Sequence, residues 1–130
     1  MKKYLFIAVG GMAGAILRFS LSNIHLFQNE ELNVLITLFI NVSGSFVLAF
    51  LLTLTEAKLP ITNDAKAGIS VGFLGAYTTF STFCKEVMHF IQTGKYFEAG
   101  IYMFASICLG LIAIYCGILL GKKVDLQFHK

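Results

Sequence analysis

The sequence predicts an all-α membrane protein that crosses the bilayer four times, with the third crossing broken near its middle. Three observations carry this. Hydrophobic residues make up 57% of the 130-residue chain and charged residues only 13%, and the mean hydropathy is +0.78. Four apolar runs each reach the about 20 residues that a bilayer crossing needs. The third run, around "GFLGAYTTFSTF" (residues 72–83), crowds glycines and hydroxyls where a membrane helix ordinarily carries aliphatic side chains. The length is that of one domain, so residues 1–130 read as a single four-helix transmembrane unit.

The first span runs from about residue 4 to 24 and contains one charge, Arg18. Its start, "MKKYLFIAVGGMAGAIL", has the lysines, apolar run and small residues of a signal peptide. The apolar stretch continues through Arg18 and Phe19 towards Leu26, which is too long for a signal core, so it reads as a retained helix. The second span, about 32–55, is uncharged and carries Asn41 near its centre. The third, about 67–91, is free of charge until Lys85 and Glu86. The fourth, about 99–121, has none. The connectors "FQNEE", "EAKLPITND" and "QTGKYFE" are short and polar. Pro60 falls in the second of them, where its missing N–H costs nothing.

Four crossings put both termini and the middle connector on one side. That side receives Lys2, Lys3, Lys58, Lys66, Lys122, Lys123 and Lys130, against Arg18, Lys95 and Lys85 on the other. The bias favours cytoplasmic termini. Glycine pairs at four-residue spacing (Gly10/Gly14, Gly68/Gly72, Gly117/Gly121) let backbones approach closely, mostly within the chain. Four short helices enclose too little interior for an ion path, so an oligomer is expected.

Several function classes drop out. The net charge is only +3 and no basic cluster carries interleaved aromatics, which removes nucleic-acid binding. Cys84, Cys108 and Cys116 form no CxxC pair and lie in apolar runs. They read as small buried residues rather than disulfides or zinc ligands. There is no P-loop lysine motif and no nucleophile–base pair, so no enzyme is expected.

The polar residues within the spans are costly in hydrocarbon and call for partners or a purpose. Asn41 fits an interhelical hydrogen bond, and Thr37 lies one turn before it on the same face. In the third span, Gly72 and Gly75 lower helix propensity, and the hydroxyls of Thr78 and Thr79 can loosen the backbone ladder. A break would leave carbonyl oxygens to be satisfied. These are hard ligands that suit a small cation, although a simple kink fits the same residues.

Phe80 and Phe83 share a helix face, with Tyr77 extending the row. Thr78, Thr82 and Glu86 form a neighbouring polar stripe. Aromatic rings have positive edges, which attract anions as hydroxyl and amide donors do. Tyr102 and Ser106, one turn apart, add a hydroxyl face in the fourth span. With donors in three spans and no acid at the span centres, the pattern fits an anion path better than a cation path.

Together, "GGMAGAILRF", "FINVSGSF" and "GFLGAYTTFSTF" resemble the Fluc/CrcB family of bacterial fluoride ion channels over nearly the whole chain. The third motif is the specific one. The resemblance implies an antiparallel dual-topology dimer in the bacterial inner membrane, with two pores and a central structural sodium ion. It implies that Gly75 and Thr78 offer backbone carbonyls to sodium and that Phe80 and Phe83 present ring edges to fluoride. Asn41 would orient the rings and donate a hydrogen bond. Thr37, Ser81 and Thr82 would form a polar track, with Tyr102 and Ser106 lining it and Glu86 near a pore mouth. Arg18 would anchor the interface between membrane and water. A homodimer is favoured by the intact motifs, and the lysine bias leaves room for a heterodimer of oppositely oriented subunits. The alternative is a proton-coupled small multidrug-type exporter. Such chemistry needs a mid-membrane carboxylate, which the first two spans lack.

Overall fold

The computed structural model describes residues 1–23, 30–56 and 61–128. Pro60, Lys58 and Lys130 lie outside the described residues. Regular structure among the described residues is helical throughout, without strands. Helix α1 spans Lys2–Ser22 and α2 spans Glu30–Glu56. The segment expected as the third crossing begins with α3, Asn63–Ala67, passes through a π-helical stretch, Gly68–Leu74, and continues as α4, Gly75–Tyr77. After two extended residues it resumes as α5, Phe80–Gln92. Helix α6, Tyr96–Phe128, completes the chain.

Local chemistry sets these boundaries. Thr62 caps α3, its hydroxyl accepting from the Ala65 amide at 3.3 Å, and Asp64 in the first turn complements the helix dipole. Helix α5 ends at a Schellman turn. The Gly94 amide donates to the Ile91 carbonyl at 3.1 Å and the Lys95 amide to Phe90 at 2.8 Å. Gly94 has φ +76°, the left-handed conformation that this turn requires of its central residue.

Helices α1, α2 and α6 are each long and apolar enough to cross a membrane. The third crossing is divided, so no single helix within it reaches that length. Helix α6 runs past the expected end at 121, because Lys122, Lys123 and Asp125 are polar without being helix breakers.

The helices pack in two pairs. Helix α1 lies against the π-helical stretch and α4, and α2 lies against α6, with α5 laid on α6. Glycines make both contacts. A Cβ on Gly10 or Gly14 would overlap the backbone oxygen of Gly68 or Phe73, and one on Gly72 would sit 2.5 Å from the Ile7 oxygen. On the other pair, a Cβ on Gly117 would lie 2.6 Å from the Phe46 oxygen, and one on Gly121 would meet Thr53. All three glycine pairs are therefore used within the subunit, Gly121 against the Thr53 side chain and the others against backbone.

Few apolar side chains are fully enclosed, Ile40 at 1% exposure being the extreme, and large ones such as Phe39, Phe104 and Leu111 face outward. Cys84 and Cys116 are exposed and Cys108 is half-buried. The expected burial of the cysteines fails for the first two because they lie on faces of α5 and α6 that no other described helix covers.

Candidate functional site: the break in the third crossing

The helix breaks at Thr78 (φ −74°, ψ 154°) and Thr79 (φ −145°, ψ 116°), both extended. Two extended residues in a low-dielectric setting need replacement partners for their backbone groups. Asn41 of α2 supplies them. Its Oδ1 accepts from the Thr79 amide at 2.8 Å, and its Nδ2 donates to the Thr79 carbonyl at 3.0 Å. One side-chain amide thus pairs both polar groups of one peptide residue, much as a neighbouring strand would.

The hydroxyl of Thr79 does a second job. It accepts from the Thr82 amide at 3.2 Å and donates to Thr82 Oγ1 at 3.0 Å, so Thr79 is the N-cap of α5. Ser81 Oγ lies 3.3 Å from the same oxygen. Thr79 is only 6% exposed.

These diversions release two carbonyls. In an unbroken helix the Thr79 amide would bond the Gly75 carbonyl, and the Thr82 amide would bond that of Thr78. Here the Thr79 amide goes to Asn41 and the Thr82 amide to the Thr79 hydroxyl. Thr78 instead stacks two donors on the Leu74 carbonyl, its amide and its hydroxyl each at 3.0 Å. Beside the break opens a cleft of about 270 Å³ whose lining includes Asn41, Gly44, Ser45, Ser70, Gly75 and Thr78. Its polar groups are uncharged. Among the described residues no group of His, Cys, Asp or Glu could hold a metal ion. The released oxygens of Gly75 and Thr78 fit a hard cation held by backbone alone.

A second cluster lies about two turns further along α5. Glu86 accepts from Thr37 of α2 and from Tyr102 of α6, both at 2.7 Å, one through each carboxylate oxygen. Thr37 Oγ1 also lies 3.3 Å from the Asn33 carbonyl. Tyr102 sits between two rings of α5. Its centroid is 5.1 Å from that of Phe83 and 6.3 Å from that of Phe90, the latter edge-on. Phe83, Glu86 and Phe90 are one face of α5, so Tyr102 enters as a knob into a hole. Phe80 and Phe83 lie 5.8 Å apart at 31°, and Phe80 is 77% exposed on the subunit.

The structure therefore collects Asn41, Gly75, Thr78 and Phe80 at the cleft, and Thr37, Phe83, Glu86 and Tyr102 in the second cluster. Thr82 and Ser81 join Thr79 beside the cleft. Ser106 follows Tyr102 by one turn, and its buried hydroxyl has no hydrogen-bond partner among the described residues. Arg18 is half-buried on α1, one turn before the end of that helix and outside both clusters.

Two expectations are corrected. Tyr77 does not extend the Phe80–Phe83 row, and Thr78 does not continue the Thr82–Glu86 stripe. Both precede the break, which ends the helical register that the spacing assumes. Tyr77 turns instead to Phe73, with parallel rings 6.2 Å apart, and to Ser43 of α2 at 3.0 Å. Two contributors escape a reading of the sequence, Ser43 and Phe90, and Thr79, read only as loosening the helix ladder, is also the N-cap of α5. Thr79 was signalled by a hydroxyl residue three positions before Thr82, the spacing of an N-cap. Ser43 and Phe90 have no local signal, because their partners are 34 and 12 residues away.

A family described as "CrcB-like protein, Camphor Resistance (CrcB)" matches residues 5–118. The chain is 39% identical over 119 residues to the "Fluoride-specific ion channel FluC 1" of Moorella thermoacetica, covering 92% of this chain and 85% of that one. It is 37% identical to "Fluoride-specific ion channel FluC 2" of Staphylococcus saprophyticus, covering 95% and 99%. It is 34% identical to "Fluoride-specific ion channel FluC" of Acidobacterium capsulatum, covering 94% and 98%. With its long apolar helices, the protein is a multi-pass membrane protein, and the chain belongs to the CrcB-like family.

Proposed function

We propose that the chain is a subunit of a fluoride-selective ion channel that lets fluoride leave the cytoplasm passively, down its electrochemical gradient. The relatives named as fluoride-specific channels support the substrate. The arrangement of uncharged donors and ring edges about the break supports the means, and the Asn41–Thr79 pairing is the observation that carries it.

Fluoride is small and tightly hydrated, so it needs replacement donors that hold it weakly enough to release it. The hydroxyls of Ser81, Thr82 and Ser106 are of that kind, as is the second N–H of Asn41, while those of Thr37 and Tyr102, whose protons go to Glu86, line the path beside it. The ring edges of Phe80 and Phe83 add positive rims without a fixed charge. Glu86 stands at a pore mouth, and Arg18 anchors the helix end at the interface between membrane and water.

The functional unit in this reading is an antiparallel dual-topology dimer in the bacterial inner membrane, favoured as a homodimer. Two released carbonyls from one subunit fall short of a full cation shell, and a second copy doubles them. The open surface at Gly75, where an added Cβ would meet nothing closer than 3.9 Å, leaves room for that approach. A sodium ion held by the Gly75 and Thr78 carbonyls would supply a static positive charge at the centre.

Electrode recording of fluoride efflux from proteoliposomes tests the reading. Efflux that needs no proton gradient is the expected result. Proton-coupled cation export would mark an exporter, and retained fluoride would end the proposal.

A further inference from the structure

The α2 sequence "NVSG" (Asn41–Gly44) meets the break residue by residue. Asn41 holds Thr79. Gly44 lies under Thr78 and Tyr77, where a Cβ would overlap Thr78 Cγ2 and sit 3.2 Å from Tyr77 Cδ1. Ser43 Oγ is 3.0 Å from the Tyr77 hydroxyl. Ser43 also donates to the Ile40 carbonyl at 3.2 Å, which leaves its oxygen free to accept from Tyr77. Three consecutive residues of the third crossing are thus each seated by α2.

Tyr77 is the last residue of α4 and only 7% exposed. Its ring lies parallel to that of Phe73 on the π-helical stretch, with an interplanar angle of 5°. The side chain is therefore fixed along its face by Phe73 and at its tip by Ser43. From this anchored end the chain turns extended at Thr78, so the seating of α4 sets where the Gly75 oxygen points and the turn that follows sets where the Thr78 oxygen points. Asn41 acts only after the turn, on Thr79. Before the turn, the hydroxyl pair is the polar tie that α4 makes to α2 among the described residues.

We propose that Ser43 and Tyr77 are positioning residues: their hydroxyl pair latches the end of α4 to α2 and so aims the Gly75 and Thr78 carbonyls into the cleft. The latch rests on the reading of those carbonyls as cation ligands. It sets how tightly the cation is held, without touching cation or fluoride.

The test compares wild type, S43A, Y77F, S43A/Y77F and S43T in proteoliposomes, with sodium replaced stepwise by N-methyl-D-glucamine on both sides. S43A and Y77F each raise the sodium concentration for half-maximal fluoride efflux about three- to tenfold, the range set by one hydrogen bond. The double variant matches the singles, because both remove the same pair. S43T retains the hydroxyl and keeps the wild-type value. Maximal efflux at saturating sodium is unchanged in all four. Amide hydrogen exchange over residues 76–80 of the solubilised protein is faster in S43A and Y77F than in wild type, a readout independent of transport.

A conducting wild type whose efflux ignores sodium overturns the latch, and so does wild-type sodium dependence in both single variants. Additive losses in the double variant, or loss of assembly on removing one hydroxyl, also overturn it. A wild type that passes no fluoride at all marks failure of the channel reading instead.

Discussion

The carboxamide of Asn41 brackets Thr79, with Oδ1 2.8 Å from the Thr79 nitrogen and Nδ2 3.0 Å from the Thr79 oxygen. An interhelical asparagine would usually tie two side chains. Here it replaces the backbone partners of an interrupted helix, and the interruption persists because its polar groups stay paired. Asn41→Leu removes both bonds and leaves a buried N–H and C=O, each costing on the order of 1–3 kcal/mol. The expected outcome is at least about a tenfold fall in fluoride efflux per folded subunit. Asn41→Asp keeps an acceptor for the amide but offers no donor to the carbonyl, so it is expected to fall between the two. Efflux from proteoliposomes, normalised to reconstituted protein, checks the ranking. A wild-type rate in Asn41→Leu would show that the bracket is dispensable.

The rings can be separated from folding by their exposure. Phe80 is 77% exposed on the subunit, whereas Phe83 packs on Tyr102 at 5.1 Å. Phe80→Ile therefore removes a positive ring edge with little loss of packing inside the subunit. We expect efflux to drop sharply while the elution volume in detergent and the thermal midpoint stay near wild type. Phe83→Ile should lower efflux and also reduce the thermal midpoint, because Tyr102 loses one wall of its socket. Unchanged efflux in both variants would remove the rings from the path.

How much of this was visible beforehand depends on sequence separation. The helical class, the four apolar runs and the weak point at residues 72–79 follow from composition and from local glycine and threonine chemistry; among the described residues the structure is helical, breaks at Thr78 and Thr79, and has three helices long and apolar enough to cross a membrane. The polar residues Thr37, Asn41, Glu86 and Tyr102 stood out because hydrocarbon makes each costly. Their pairing did not, since Thr37 and Glu86 are 49 residues apart and periodicity along one helix says nothing about which helix faces it. The misplacement of Tyr77 and Thr78 has the opposite cause. A four-residue spacing was extended through the very break that the same residues predicted. The π-helical stretch Gly68–Leu74, which packs closely on Gly10 and Gly14, was also invisible, because nothing in its own residues distinguishes it from an α-helix.

Glu86 joins α2 and α6 by accepting from Thr37 and Tyr102 at once. Thr37→Val and Tyr102→Phe each remove one donor and leave the shape nearly intact. Each is expected to cost about 0.5–1.5 kcal/mol of stability. Because both act on one carboxylate, their effects should not add, and a coupling of at least about 0.5 kcal/mol is expected. Thermal unfolding of the two singles and the double variant in one detergent measures it. Strict additivity would show that the two hydroxyls serve separate ends.

The glycine contacts give a prediction with an internal control. Gly14 faces the backbone of Phe73, and an added Cβ would overlap the Phe73 carbonyl oxygen. Backbone on both sides cannot move aside as a flexible side chain would, so the helices must part. Parting them also shifts the π-helical stretch and α4, and with them Gly75 and Thr78. Overpacking of this kind typically costs about 1–3 kcal/mol. Gly100 is helical as well, yet a Cβ there meets nothing within 4 Å. Gly100→Ala should be neutral or slightly stabilising through helix propensity, whereas Gly14→Ala should lower the thermal midpoint by several degrees and reduce efflux with it. A midpoint for Gly14→Ala equal to that of Gly100→Ala would mean that α1 and the third crossing pack more loosely than their backbones indicate.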